Sequence, residues 1–309
     1  MMRIVIELPT WLGDAVMTTP AIDNLVKYFG DVEITFLGSW SSIEALKTHP
    51  NVIKTYVLDK KFINLYKTLK DCGEFDIFFS FRSSLRTKFM KFCISSKRKY
   101  QFDKNKFLKG HQVEKYNSFI NHSLGINFSA SNLKLYSEKK AIISSNKVLG
   151  INPGGSYGDA KRWYPKKFAD VAIELSSQFD IIILGGPGET DIASDIEKHL
   201  IKYGVKNYQN LANKTSIVEL INQIENLDLF VTGDSGPMHL AAALQVPTVA
   251  IFGPTNDKET SQWMNIKSTI VKKDLECQPC MKRTCPLNHH NCMTMVEVSD
   301  ILGAVEGLN

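Results

Sequence analysis

The chain has 309 residues, 43% apolar and 22% charged, and carries a formal net charge of +5 at neutral pH. That length accommodates two ordinary domains with separate cores, and the composition excludes a disordered or collagen-like chain. No run approaches the roughly 18 apolar residues of a membrane helix, and the N-terminus leads into a strand broken by Glu7 and Pro9 rather than a signal peptide, so a cytoplasmic protein with at most peripheral membrane contact is expected.

Short apolar runs rich in β-branched residues predict strands at 3–8, 33–37, 54–58 and 76–81, with a helix over 14–29. Residues 82–109 then hold ten Lys or Arg against one acid, Asp103. Such a run is either a solvated face or loop, or a surface for an anionic partner such as acidic headgroups or a phosphorylated glycan. Nucleic acid is not expected, because no recognition motif accompanies the charge. Residues 129–146 are polar and weakly patterned, as a linker is, which places a domain boundary near Asn146.

Strand-helix alternation resumes at once, with strands at 147–152, 180–184, 228–232 and 248–252 and helices at 166–178, 189–203, 217–224 and 238–244. The pattern predicts an α/β chain of two Rossmann-like domains, 1–146 and 147–295, facing each other across a cleft. Residues 296–309 have helical apolar spacing and are expected to pack across the junction.

Four strand-end loops carry candidate chemistry. At Gly233-Asp234-Ser235-Gly236-Pro237 a buried strand turns into a helix, with glycines for the turn and proline for the first helical turn. The backbone N–H groups and dipole of such a start form an anion site. Asp234 and Ser235 either cap the helix or touch the ligand. In Asn152-Pro153-Gly154-Gly155-Ser156, amides and a hydroxyl suit phosphate oxygens, and Lys161 or Arg162 can neutralise a diphosphate; the bland alternative is a glycine turn beside a solvated Lys-Arg pair. In the third loop, Glu189 can accept hydrogen bonds from a ribose or simply complement a helix dipole. Three phosphate-friendly strand ends point to a nucleotide-linked donor. The first loop, Pro9 to Ala15, lacks the GxGxxG fingerprint of dinucleotide binding; its Asp14, after Gly13, is either a helix cap or a general base.

Cys277, Cys280, Cys285 and Cys292 read C-x2-C-x4-C-x6-C, with His289 and His290 between the last two. The spacing matches no familiar zinc finger, so reduced thiols are preferred over a structural zinc site, and no metal is expected. Cys72 and Cys93 lie elsewhere, and disulfides are not expected in a cytoplasmic protein.

Taken together, Leu12-Gly-Asp-Ala-Val-Met-Thr-Thr-Pro20, Asn152 to Ser156 with Lys161-Arg-Trp163, Asn210-Leu-Ala-Asn-Lys-Thr-Ser216, Gly233 to Leu244 and Phe252-Gly-Pro-Thr255 resemble the ADP-heptose:lipopolysaccharide heptosyltransferases. These are glycosyltransferases of the GT-B architecture, and the resemblance spans nearly the whole chain. The stretch from Cys277 to Cys292 is similar to the subgroup that adds the second heptose, heptosyltransferase II. The resemblance implies an N-terminal domain for an anionic glycolipid acceptor and a C-terminal domain for ADP-heptose, with no obligatory cofactor and with peripheral association at the inner face of the cytoplasmic membrane. It makes Asp14 and Lys161 catalytic. It assigns Gly13, Gly154, Gly155, Ser156, Lys161, Glu189, Asp234, Ser235, Gly236, Pro237, Met238 and His239 to the donor. Asn213 stands where the family commonly has glycine, and asparagine also tolerates the left-handed region. The expected reaction is inverting displacement, with Asp14 as base and Lys161 on the leaving diphosphate. Arg82, Arg86 and Lys88 from the basic run are then candidates for the acceptor. Competing readings are a heptosyltransferase I or another family member with a different acceptor, an NAD-dependent oxidoreductase, a nucleotide-sugar epimerase and a non-enzymatic nucleotide-sugar-binding regulator.

Overall fold

A computed structural model describes residues 1–137, 146–154 and 158–308. The chain forms two compact units, Met1–Ser137 and Glu138–Asn309. The expected boundary at Asn146 lies slightly further along, past a stretch outside the described residues.

The first unit runs β1 (Met2–Glu7), α1 (Leu12–Met17), α2 (Thr19–Phe29), β2 (Val32–Gly38), α3 (Trp40–Leu46), β3 (Val52–Val57), α4 (Phe62–Asp71), β4 (Glu74–Ser80), α5 (Leu85–Cys93), β5 (Ser95–Gln101) and α6 (Gln112–Leu124). Its strands form one parallel sheet in the order β3-β2-β1-β4-β5. Ile4, Val5 and Ile6 are completely buried, as a central strand covered on both faces requires. On one side Val5, Leu37 and Phe78 pack with Leu65, Leu69 and Met90. Elsewhere Phe79, Phe81 and Phe102 surround Phe119 edge-to-face, and Tyr116 packs edge-on against Phe81 and Phe102.

Two expectations are corrected here. The helix expected over 14–29 is broken at Thr18, because the Thr18 and Thr19 hydroxyls donate to the carbonyls of Ala15 and Val16 and Pro20 opens a new helix. The basic run is not one loop or one face: it is shared among α5, β5 and the segment before α6. Lys97, Arg98 and Lys99 lie on β5, an edge strand, where charge disfavours pairing with another strand.

The second unit runs β6 (Lys147–Asn152), α7 (Pro165–Leu175), β7 (Phe179–Ile183), α8 (Thr190–Lys202), β8 (Tyr208–Asn210), α9 (Ile217–Glu225), β9 (Leu229–Gly233), α10 (Gly236–Ala243), β10 (Thr248–Ile251), α11 (Asp257–Thr260), β11 (Ser268–Val271), α12 (Asn291–Thr294) and α13 (Val298–Glu306). The sheet is again parallel, in the order β11-β10-β9-β6-β7-β8. Each unit therefore has its first strand inside the sheet, with the chain winding outward first to one side and then to the other, as in the Rossmann fold. The C-terminal helix, expected to cross the junction, packs on α7, β10 and β11 of its own unit and buries Ile301 and Val305 there. No helix among the described residues is long and apolar enough to cross a membrane.

Candidate active site

In an open parallel sheet, ligands settle outside the carboxyl ends of the strands, where the winding direction reverses. In the first unit that point lies between β1 and β4. An open pocket of about 350 Å³ is found there, lined among others by Trp11, Asp14, Arg82, Ser84, Gln112 and Tyr116. Asp14 sits half-buried in the first turn of α1, whose N-cap is Trp11. Burial pushes the Tyr116 phenol well above its ordinary pKa, and the neighbouring Asp14 carboxylate adds to the shift.

Sequence reading missed the residue beneath this pocket. Glu7 ends β1 and is 0% exposed. Its carboxylate accepts from Ser80 Oγ at 2.6 Å and Thr87 Oγ1 at 3.3 Å, and pairs with Arg82 Nη1 at 3.4 Å. Burial raises its pKa, against the lowering effect of Ser80, Arg82 and Thr87. The only local signal was an acid inside a buried strand, which demands a partner. Of the three residues expected at the acceptor, Arg82 alone lines the pocket. Arg86 donates to the carbonyls of Asp59 and Lys60, and Lys88 lies exposed on α5.

In the second unit the reversal lies between β6 and β9. Lys161 Nζ and Asp234 Oδ2 form an ion pair at 2.7 Å, with side chains only 12% and 6% exposed. Thr255 Oγ1 donates to the same carboxylate oxygen at 2.6 Å. Arg162 instead pairs with Asp159, so of the two cations it is Lys161 that stands at the strand ends. Ser235 is the N-cap of α10 but makes no capping hydrogen bond; its hydroxyl donates to Asn152 Oδ1 at 3.2 Å. Gly154, at φ +43°, passes so close to this serine that a Cβ there would stand 3.0 Å from Ser235 Cβ and 2.9 Å from Asn152 Oδ1. Glycine is thus required where the two loops meet.

Other expected donor residues fall in different settings. Gly155 and Ser156 lie outside the described residues. Gly236 and Pro237 open α10, and His239 is buried on it. Met238 is wholly buried, its side chain packed with Ala250 and Phe252. Gly13 is buried in α1 of the first unit. Glu189, 6% exposed, accepts from the Gly186 amide at 2.7 Å and so shapes its own turn. Asn213 takes the left-handed conformation, φ 58°, and its amide donates to the Gly185 carbonyl, tying the 210–216 motif to that turn. Among the described residues no group of three or more His, Cys, Asp or Glu side chains is arranged to hold a metal ion.

Residues 77–291 match glycosyltransferase family 9 (heptosyltransferase). A lipooligosaccharide heptosyltransferase 2 of Campylobacter jejuni serotype O:2 is 40% identical over 99% of this chain and 98% of its own length. The chain belongs to glycosyltransferase family 9. A second C. jejuni relative of the same name, from serotype O:6, is 38% identical over 100% of this chain and 99% of its own. The solved Escherichia coli ADP-heptose LPS heptosyltransferase II superposes with a TM-score of 0.82 at 19% identity, covering 99% of this chain and 98% of that one. The family 9 chain therefore has the GT-B architecture and is a glycosyltransferase, and the oxidoreductase, epimerase and regulator readings fall away.

Proposed function

We propose that this protein transfers L-glycero-D-manno-heptose from ADP-heptose, with inversion, to the inner core of a lipooligosaccharide, adding the second heptose to heptosyl-Kdo2-lipid A. Full-length identity to relatives named lipooligosaccharide heptosyltransferase 2 carries the choice of substrates. The placement of Asp14 and of the Lys161–Asp234 pair at strand ends of the two sheets supports the chemistry.

Asp14 takes the proton from the acceptor hydroxyl as its oxygen bonds to the anomeric carbon of the heptose. The bond from that carbon to the diphosphate oxygen breaks on the opposite face, and ADP leaves with the electron pair. Positive charge gathers on the sugar ring while negative charge grows on the diphosphate. Lys161, steered by Asp234 and Thr255, stabilises the latter together with the amides of the Gly154 loop and the start of α10. Gly155 and Ser156 belong to that loop, and Glu189 supports the ribose side. Arg82, held by Glu7, meets the acidic groups of the acceptor. No metal is obligatory in this sequence of steps. A lipid-linked acceptor places the enzyme peripherally at the inner face of the cytoplasmic membrane.

The test incubates the purified protein with ADP-heptose, alone, with Kdo2-lipid A and with heptosyl-Kdo2-lipid A, and follows ADP release. Release that requires heptosyl-Kdo2-lipid A is the expected result. Preference for Kdo2-lipid A would make it a first-heptose enzyme, and acceptor-independent loss of ADP-heptose would defeat the transferase reading.

A further inference from the structure

Two helices of the first unit leave large apolar side chains in solvent. α4 packs Leu65 and Leu69 with Val5, Leu37 and Phe78 of the sheet and turns Phe62, Ile63 and Tyr66 outward, 55%, 61% and 42% exposed. α5 buries Thr87 and Met90 and leaves Leu85 and Phe92, seven residues apart on one side of the helix, 80% and 86% exposed. Single apolar residues scattered over a surface are ordinary, whereas a contiguous group marks a place of contact.

These residues form one face. The Phe62 ring meets Phe89 of α5 edge-on with centroids 5.2 Å apart, and the Arg86 guanidinium lies 5.8 Å from the Phe62 centroid. Arg86 also donates to the Asp59 and Lys60 carbonyls, just ahead of α4, which ties the two helices together. Charge on the same two helices is of one sign: Lys67, Lys70, Arg86, Lys88 and Lys91 stand against a single acid, Asp71. Lys60 and Lys61 add to them. The carboxylate beside these two, Asp59, accepts from the Lys61 amide at 2.8 Å and from Asn64 Nδ2 at 2.7 Å, so it is satisfied by its own turn.

Aromatic and aliphatic side chains set among lysines suit the boundary of a bilayer, where apolar groups enter below the headgroups and ammonium groups meet lipid phosphates. A second copy of the chain is a poorer partner, because a two-fold contact through this face would bring its own cations together. We propose that the face shared by α4 and α5 docks on an anionic phospholipid bilayer, with Phe62, Ile63, Leu85 and Phe92 entering the membrane boundary and the surrounding lysines meeting the headgroups.

The face is continuous with the pocket of the first unit. α5 begins at Leu85, directly after Arg82, Ser83 and Ser84, which line the pocket that contains Asp14. Seated on this face, the protein holds the pocket rim beside the headgroups, and a sugar anchored in the same bilayer reaches Asp14 while its acyl chains stay in the membrane. That consequence rests on the lipid-linked acceptor of the proposed function; the docking itself does not.

The test sediments the full chain with vesicles of phosphatidylcholine alone or with phosphatidylglycerol added, in the absence of acceptor and nucleotide sugar. Binding to the anionic vesicles that weakens as salt is raised, and little binding to the neutral ones, is the expected result. Leu85→Ser/Phe92→Ser should reduce binding by more than about tenfold with an unchanged melting temperature, since both side chains are already in solvent. Lys67→Glu/Lys88→Glu should reduce it by about tenfold or more and remove the preference for anionic lipid. Ile201→Ser/Ile266→Ser, at exposed apolar positions of the second unit, should bind as the parent does. A Phe92→Trp variant should gain fluorescence that brominated acyl chains quench. Should the first variant fail to fold, the lysine variant and the quenching decide. Full binding by both α4–α5 variants overturns the proposal, as does the absence of vesicle binding; self-association lost in Leu85→Ser/Phe92→Ser, without vesicle binding, would give the face to a second copy instead. Vesicle binding without acceptor and ADP release with it are separate measurements, so the docking face and the choice of substrates can fail independently.

Discussion

Glu7 and Asn152 hold the same topological position, the last residue of the first strand in each sheet, and both are completely buried. In the first unit the position is an acid, and it is met by Ser80, Thr87 and the cation Arg82. In the second it is a neutral amide, whose oxygen accepts from Ser235 and Thr232 and whose nitrogen donates to the Leu184 carbonyl. A buried carboxylate calls for a nearby cation, and Arg82 presents that cation at the pocket that contains Asp14. A neutral amide organises the loops without adding negative charge beside Asp234, which is already paired with Lys161. On the proposed function, this one fold position serves proton transfer beside an anionic acceptor in the first unit and a diphosphate in the second.

If this division of labour holds, substitutions in the two units should fail in different ways. Asp14→Asn should lower kcat by about 10²- to 10⁴-fold while leaving ADP affinity intact; near-normal turnover in the ADP-release assay would remove the base from the first unit. Lys161→Ala leaves a buried carboxylate without its cation and should cost about 3–5 kcal/mol of stability, together with ADP affinity. Adding Asp234→Asn should restore most of the stability in denaturant unfolding but not the affinity, and an additive double variant would show that the two groups act separately.

Arg82→Gln should weaken acceptor binding by about 1.5–3 kcal/mol and flatten the salt dependence of the acceptor KM, with the KM for ADP-heptose unchanged. An unaltered salt dependence would mean that the cation serves only Glu7. The smallest effect is expected for Glu7→Gln. Because the Glu7 pKa is raised in the folded protein, its contribution to stability is fully present below the ordinary value of 4.5 and is lost as pH rises through the folded value. Glutamine does not titrate, so the melting temperature of the variant relative to the parent should rise as pH increases above the ordinary value of 4.5; a difference constant with pH contradicts a raised Glu7.

The buried parallel strands β1, β4, β6, β9 and β10 were legible because strands covered on both faces read as continuous apolar runs. The edge strands β5, β8 and β11 were not. Ser-Ser-Lys-Arg-Lys-Tyr-Gln carries the charge that suits a sheet edge, which hides the strand from a hydrophobic pattern. The helix break at Thr18 was missed because apolar spacing continues through it while side-chain hydroxyls take over the carbonyls. In the site, Asp14, Lys161 and Asp234 stood out only through the resemblance of their motifs to the heptosyltransferases, since locally each also reads as a helix cap or a solvated charge. Glu7 and Thr255 did not, since each acquires its role from a partner on another element.

Sequence by itself determined two alternating α/β halves, glycine-rich strand ends suited to phosphate and a carboxylate at the start of the first helix, because these depend on residue types a few positions apart. Tertiary structure alone decided the pairings: Glu7 with Arg82, Lys161 rather than Arg162 with Asp234, and four cysteines around one cavity. Buried polar groups must find partners wherever the fold supplies them, and in a parallel sheet those partners come from strand ends far apart in the chain.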